Sequence, residues 1–219
     1  GGKFLSIRRE PKAPVEVLRA RLTSADPAVR LNAALDLAAA GAAAKPALGE
    51  LIAALADQDG KIRAAAGAAL SRMGPDAVPA LAEAIRTGDS NVRSVGIRAL
   101  EEQGMAALPA VPALIECFAD KEKGVRWYAT RPFRKFGPEG EAAVPGLIGL
   151  LEDEDDQVRS SAAYALGAIG PTARDAIPAL ESLIRSLDGK GWSLQARTSL
   201  ESIRGRNAGS ARDRGEEGR

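Results

Sequence analysis

No histidine occurs among the 219 residues. Its absence removes the commonest general acid–base group and the commonest metal ligand. The one cysteine, Cys117, cannot close an internal disulfide, so nothing points to an oxidising compartment. That favours the cytoplasm without identifying it. Cys117 falls on a stretch of helical spacing with no histidine to activate it, and reads as a packed thiol rather than a nucleophile. Neither a phosphate-binding glycine loop nor a zinc-ligand spacing is present. The chain is therefore expected to have no catalytic residue, no metal site and no cofactor, and not to be an enzyme. Lys and Arg number 30 against 29 Asp and Glu, a net charge of +1, so no global field draws the chain to nucleic acid or anionic lipid. Apolar runs are short and broken by glycine, proline and charge, which leaves no expected membrane span. No signal peptide is visible. The chain opens Gly1-Gly2 without methionine and reads as a fragment or a processed chain, so that absence weighs little.

Aromatic residues are scarce too, at 4%. A compact globule of this length usually fills its core with larger side chains. Alanine takes their place, in a pattern that repeats. A β-branched residue followed by arginine recurs as Val29-Arg30, Ile62-Arg63, Val92-Arg93, Val125-Arg126 and Val158-Arg159, at spacings of 33, 30, 33 and 33. Twelve residues after each first member stands a glycine: Gly41, Gly74, Gly104, Gly137 and Gly170. Three before it stands an acid: Asp26, Asp59, Asp89, Glu122 and Asp155. A proline follows each glycine, at Pro46, Pro79, Pro112, Pro145 and Pro178. Markers that keep phase over five copies define a repeat array.

Each marker has a physical role. The acid sits where a helix N-cap belongs, and Asp26-Pro27 is an N-cap followed by proline at the first helical position. The glycine sits where a helix must stop, because it takes a left-handed cap conformation at little cost. The proline opens a second helix, whose apolar spacing shows in Leu114, Ile115 and Phe118. Each unit is thus helix A, a turn, helix B and another turn. The fourth and fifth positions after the valine of helix A are mostly small: Ala33-Ala34, Ala66-Gly67, Gly96-Ile97, Ala129-Thr130 and Ala162-Ala163. The eighth is large: Leu37, Leu70, Leu100, Phe133 and Leu166. Small residues let neighbouring helices approach, and the larger ones fill between layers. One pair could not stay folded alone, whereas stacked pairs share a continuous core. For the arginine two readings exist. Arg30, Arg63, Arg93, Arg126 and Arg159 could reach the acids Asp26, Asp59, Asp89, Glu122 and Asp155 in a ladder along the stack, or line up to bind a polyanion. Five acids in the same phase favour the ladder.

"VRSSAAYALGAIG" followed by "AIPALESLI" resembles the HEAT-like repeat of the phycobilisome-lyase type, over residues 26 to 187, roughly three quarters of the chain. The resemblance implies an all-α fold: a right-handed α-solenoid of stacked helical hairpins, curved into a superhelix with the B helices on its concave face. It implies little about role, since such repeats serve as binding scaffolds, as subunits of enzymes that attach bilin pigments, and as a DNA glycosylase family. Gln103 stands in copy three where copy five has Ile169, and copy two is three residues shorter between its helices, departures that read as natural divergence. The repeat domain is expected over 14–204, with repeats beginning near 26, 59, 89, 122 and 155. A capping helix is expected at 14–24 and another at 192–203, in which Trp192, Leu200 and Ile203 continue the phase. Residues 1–13 read as an extension whose Phe4, Leu5 and Ile7 could dock on the first helix. Residues 205–219 read as a disordered tail.

Copy four, "VRWYATRPFRKFG", breaks the pattern. Of the two tryptophans, two tyrosines and four phenylalanines, five fall between Phe118 and Phe136. Pro132 stands where alanine is usual and should break its helix, at about 3 kcal/mol unless compensated. Two readings remain. Trp127, Tyr128, Arg131, Arg134 and Lys135 could form a partner-binding patch, since aromatics interleaved with arginine suit a protein hot spot as well as stacking on single-stranded nucleic acid. Alternatively, the aromatics could fill space opened by the kink. The acidic run 152–157 reads as a solvated loop in which Asp155 caps a helix; it lacks the glycine and spacing of a calcium loop. The function expected is a non-catalytic, monomeric scaffold binding another protein on the concave face or at copy four. A bilin-lyase-like subunit and a nucleic-acid module are the alternatives, and near-neutral charge weighs against the latter. If the patch binds a partner, Trp127→Ala weakens that binding and leaves the thermal midpoint nearly unchanged. A large fall in the midpoint would assign Trp127 to the core.

Overall fold

A computed structural model describes residues 13–186 and 193–205. The expected extension at 1–13, Trp192 and the expected tail at 205–219 lie essentially outside the described residues. Among the described residues every regular element is a helix. α1 (Val15–Leu22) is followed in chain order by α2 (Pro27–Ala40), α3 (Leu48–Ala54), α4 (Gly60–Met73), α5 (Val78–Thr87), α6 (Ser90–Gln103), α7 (Val111–Glu116), α8 (Lys123–Thr130), α9 (Phe133–Phe136), α10 (Val144–Leu150), α11 (Asp156–Ile169) and α12 (Ile177–Ser186). α13 (Ser193–Ile203) follows. The chain divides between Ala110 and Val111 into two compact units. In the first, α2, α4 and α6 pack in succession as one layer and α1, α3 and α5 form the other. In the second, α8 and α9 pack on α11, and α11 on α13, with α7, α10 and α12 behind.

The acids start these helices. Asp26, Asp59, Asp89, Glu122 and Asp155 are the N-cap residues of α2, α4, α6, α8 and α11. The four aspartates accept hydrogen bonds from the first free amides, as Asp59 does from Lys61 N at 2.7 Å, which satisfies donors that the helix itself cannot. Glu122 makes no such bond. The glycines end the helices, each with φ between +58° and +79°. Their ψ values run from −128° to −151°. This is not the left-handed helical cap expected from the sequence but a region open essentially to glycine alone. It turns the chain into a 3-10 segment rather than a bare turn: seven residues long in four repeats, four long in the second, Gly74–Ala77. That shorter segment accounts for the 30-residue spacing. Pro79, Pro112, Pro145 and Pro178 occupy the second position of helix B. Pro46 does not; it lies inside the 3-10 segment Gly41–Ala47, three residues out of phase.

The core follows the small-and-large pattern. Ala33, Ala34, Ala66, Gly67, Gly96, Ala129, Ala162 and Ala163 are buried, and so are Leu37, Leu70, Leu100, Phe133 and Leu166. The stretch Pro27–Ala54 has the length and hydropathy of a membrane span, and 33% of its apolar window is buried. Gly41 breaks that stretch, and its apolar residues Ala33, Ala34, Leu37 and Leu51 face the repeat core. Neighbouring repeats also cap one another. Arg72 donates to Ala38 O (3.4 Å), Gln103 Nε2 to Leu70 O (3.1 Å) and Ser202 Oγ to Gly167 O (2.8 Å). Each acceptor lies in the last turn of a helix A, where carbonyls lack an intrahelical donor. The departure at Gln103 therefore has a structural role.

The described bonds of the five arginines run to groups other than the N-cap acids expected from the sequence. Each arginine donates through Nη1 to carbonyls in the loop before its own helix: Arg30 to Ser24 O (2.8 Å), Arg63 to Asp57 O (2.7 Å), Arg93 to Gly88 O (2.8 Å), Arg126 to Asp120 O (2.8 Å) and Arg159 to Asp153 O. Arg30 and Arg126 also grip the next repeat with a forked pair of bonds. Arg30 reaches Asp57 at 2.7 and 3.2 Å, and Arg126 reaches Asp153 at 2.7 and 3.0 Å. These acids stand two residues before the N-caps. The expected partners Asp26, Asp59 and Asp89 are turned toward the amides of their own helices instead. Asp155 does the same and takes Lys123 Nζ at 2.9 Å. The acidic run is thus only partly a solvated loop, because the Asp153 side chain is 6% exposed and paired.

Electrostatics follow this pairing. The Arg30 guanidinium holds the Asp57 carboxyl below its ordinary value, against the effect of burial. At Asp153 burial pushes the carboxyl up, and the bonds from Arg126 and the Asp155 amide more than reverse it. A lowered folded-state value means that the stabilisation is complete above about pH 4 and drains away as the pH falls through that value. Asp153→Asn removes the forked, buried partner of Arg126 and leaves it only the exposed Glu154 carboxylate at 3.4 Å, and is expected to cost about 3 kcal/mol at neutral pH. Urea denaturation at pH 7 and again near pH 3 checks this: the gap between wild type and variant should shrink on acidification. A gap that stays constant would remove the ion pair as its cause.

A groove on the helix-A face of repeats four and five

Copy four keeps its phase while losing its helix. Pro132 ends α8 at Thr130, and α9 restarts at Phe133. The break sorts the aromatics into two sets. Phe118, Phe133 and Phe136 are buried, with ring centroids 5.6 Å apart for the first pair and 5.5 Å for the second. Two glycines make room for them. A Cβ on Gly140 would come within 2.9 Å of Phe133 Cδ1, and one on Gly146 within 2.7 Å of Phe118 Cδ2. Gly140 replaces the alanine found at Ala44, Ala107 and Ala173, and Gly146 the one at Ala80, Ala113 and Ala179. These phenylalanines are therefore packing, matched by lost volume opposite.

Trp127 and Tyr128 go the other way. Both are half-buried on α8, edge to face with centroids 4.7 Å apart. Arg131 lies over both rings, at 4.8 Å from Trp127 and 5.7 Å from Tyr128. Beside Trp127 opens a groove of about 410 Å³, lined by Trp127, Arg134, Asp156, Gln157, Ser160, Ser161, Tyr164 and Gln195. α8, α9, α11 and α13 supply these residues, so the groove runs across helix A of repeats four and five to the last helix. Its floor is fixed by Ser161, whose hydroxyl is bonded to Thr130 Oγ1 between the repeats.

Of the five residues singled out in the sequence, Trp127 and Arg134 line the groove. Tyr128 and Arg131 stand behind Trp127, and Lys135 is exposed on α9 outside the wall. Sequence reasoning missed Tyr164, whose ring lies 4.0 Å from the Arg134 guanidinium carbon. A signal was present: Tyr164 stands six residues after Val158, as Arg131 does after Val125. This position faces outward, and Tyr164 is 39% exposed. Nothing reactive gathers here. Among the described residues no group of three or more Cys, Asp or Glu is arranged to hold a metal ion. Cys117 is buried in the 3-10 turn that follows α7.

The packing account has a direct test. Gly140→Ala should cost about 1–3 kcal/mol by pushing Phe133 off its rotamer. The double variant Gly140→Ala/Phe133→Leu, which restores the pairing of the other repeats, should recover most of that loss in a double-mutant cycle of thermal or urea midpoints. Additive losses would show that the two positions are not coupled.

A family model for HEAT repeats matches residues 48–131 and 111–200. No curated protein sequence matches the chain. Among solved structures, an engineered protein is 24% identical, with 89% of this chain and 98% of that one covered and a TM-score of 0.59. A designed armadillo repeat protein in complex with the peptide (KR)4 is 18% identical, with coverage of 87% and 100% and a TM-score of 0.62. Importin beta is 19% identical at a TM-score of 0.60, and the match spans 88% of this chain and 30% of that one.

Proposed function

The chain belongs to the HEAT-repeat family, and from that premise we propose that it is a non-catalytic scaffold which binds another protein through the helix-A groove of repeats four and five. The observation that carries this reading is the pairing of Trp127 with a groove whose walls come from separate repeats. A half-buried tryptophan beside a stacked arginine offers large apolar area at low conformational cost, the composition of an interaction hot spot. The surrounding polar groups, Gln157, Ser160 and Gln195, suit the rim of such a site. A related fold holding the (KR)4 peptide supports the capacity of stacked repeats to receive an extended chain.

The B-helix surface is the less favoured alternative. Its groove in the first unit, about 550 Å³, is walled by Arg19, Glu50 and Asp57. Arg19 is bonded to Glu50 at 2.7 Å, and Asp57 to Arg30. Charges already committed to each other give little to a partner unless those pairs break.

A pull-down from native lysate tests the proposal, with wild-type bait and the variants Trp127→Ala and Arg134→Ala. A protein retained by wild type after nuclease treatment and lost by both variants is the expected result. Retention by all three baits would move the site elsewhere. Recovery only of nucleic acid, or a new visible absorbance on mixing with a bilin, would replace the scaffold reading.

A further inference from the structure

Arg134 stands apart among the groove's charges. Its guanidinium carbon is 4.0 Å from the centre of the Tyr164 ring, and among the described residues it has no carboxylate partner. A contact with the face of a ring uses none of its five N–H donors. The other charged group in the wall, Asp156, is bonded to Arg159 of its own helix. The groove therefore carries uncompensated positive charge beside the apolar surface of Trp127. Gln157, Ser160 and Gln195 offer groups that both donate and accept, as the alternating amides and carbonyls of a peptide backbone require. The volume of about 410 Å³ lies within the range of sites that hold a few side chains.

Resting on the scaffold reading above, we propose that this groove docks an acidic peptide segment, with an apolar side chain against Trp127 and a neighbouring carboxylate on Arg134. The tyrosine ring holds the guanidinium in place before the partner arrives, so less freedom is lost on binding. An arginine edge meets a carboxylate through two parallel bonds, which a lysine could not supply. One guanidinium in the wall falls short of the several cations that grip a nucleic-acid backbone.

Fluorescence anisotropy with the whole chain tests this. The probes are a fluorescein-labelled octapeptide of alternating leucine and glutamate, its leucine–lysine counterpart, and an oligothymidine of equal length. The acidic peptide should bind at least about tenfold more tightly than the basic one. Arg134→Glu, at an exposed position, should reverse that order with an unchanged melting temperature, and Trp127→Ala should weaken both peptides. Equal affinities, an order that survives Arg134→Glu, or no saturation by the acidic peptide below about 1 mM would overturn the acidic preference. Tighter binding of the oligothymidine would overturn it in favour of nucleic acid. In each case a lysate partner that still depends on Trp127 would leave the scaffold reading in place. Loss of that dependence would remove both.

Discussion

Neighbouring helices in this array approach so closely that a single methyl group is excluded. A Cβ at Gly67 would lie 2.6 Å from Val95 Cγ1, and one at Gly167 would lie 2.6–2.8 Å from three atoms of Ser199. Dispersion contacts are individually weak and fall off steeply with distance, so a scarcity of large side chains can be offset by closeness. That is how a chain with 4% aromatics still buries a core. The other devices serve this contact. N-cap acids and glycine corners fix where each helix A starts and stops, which brings the small positions of one repeat opposite those of the next. The ion pairs from Arg30 to Asp57 and from Arg126 to Asp153 then hold consecutive hairpins at a set rotation. Since each hairpin has few internal contacts, its stability resides largely in its neighbours.

The groove arises where that contact is denied. Arg134 stands nine residues after Val125, the position of Gly167 in the following repeat. In copy five that position lies against Ser199, and no arginine could enter a gap of that width. In copy four the guanidinium lies out over Tyr164 instead, and the space between α9 and α11 stays open to solvent. Pro132 contributes by ending α8 early, which lets α9 carry Phe133 inward and Arg134 outward within one turn. The aromatic cluster of copy four thus divides into a buried set and an outward-facing set. The phenylalanines fill the core opposite Gly140 and Gly146, while Trp127 faces the groove.

Much of the fold was legible in the sequence because it depends on periodic residues with local physics. An acid before a helix, a glycine at its end and an alanine face can be read without coordinates. What stayed hidden depends on geometry across repeats. An aspartate stands at this position in three of the five copies, Asp57, Asp120 and Asp153, with Ser24 and Thr87 in the other two, so it made a weaker pattern than the N-cap acids, which recur in all five. The 3-10 segments left no periodic mark, and Pro46 looked like its counterparts although it sits a full 3-10 turn away from their place. Of the groove, the tryptophan and the arginines were visible as exceptions to the repeat. Tyr164 had only the weaker signal of its place, six residues after Val158, in a repeat that is otherwise regular and with its partner 30 residues upstream.

The distribution of charge argues for where a partner can act. Arg30 and Arg126 are bound to backbone carbonyls and to a carboxylate of the following repeat. A partner that drew on either would have to break a contact that holds two hairpins together, and would lose in folding much of what it gained in binding. Arg134 carries no such duty. Its guanidinium rests on the Tyr164 ring, a cation–π contact worth roughly 0.5–1 kcal/mol at an exposed site. A carboxylate can engage that guanidinium without displacing the ring. Cohesion and the proposed recognition therefore fall to different arginines on the same scaffold, and the one proposed for recognition is the one that breaks the repeat pattern.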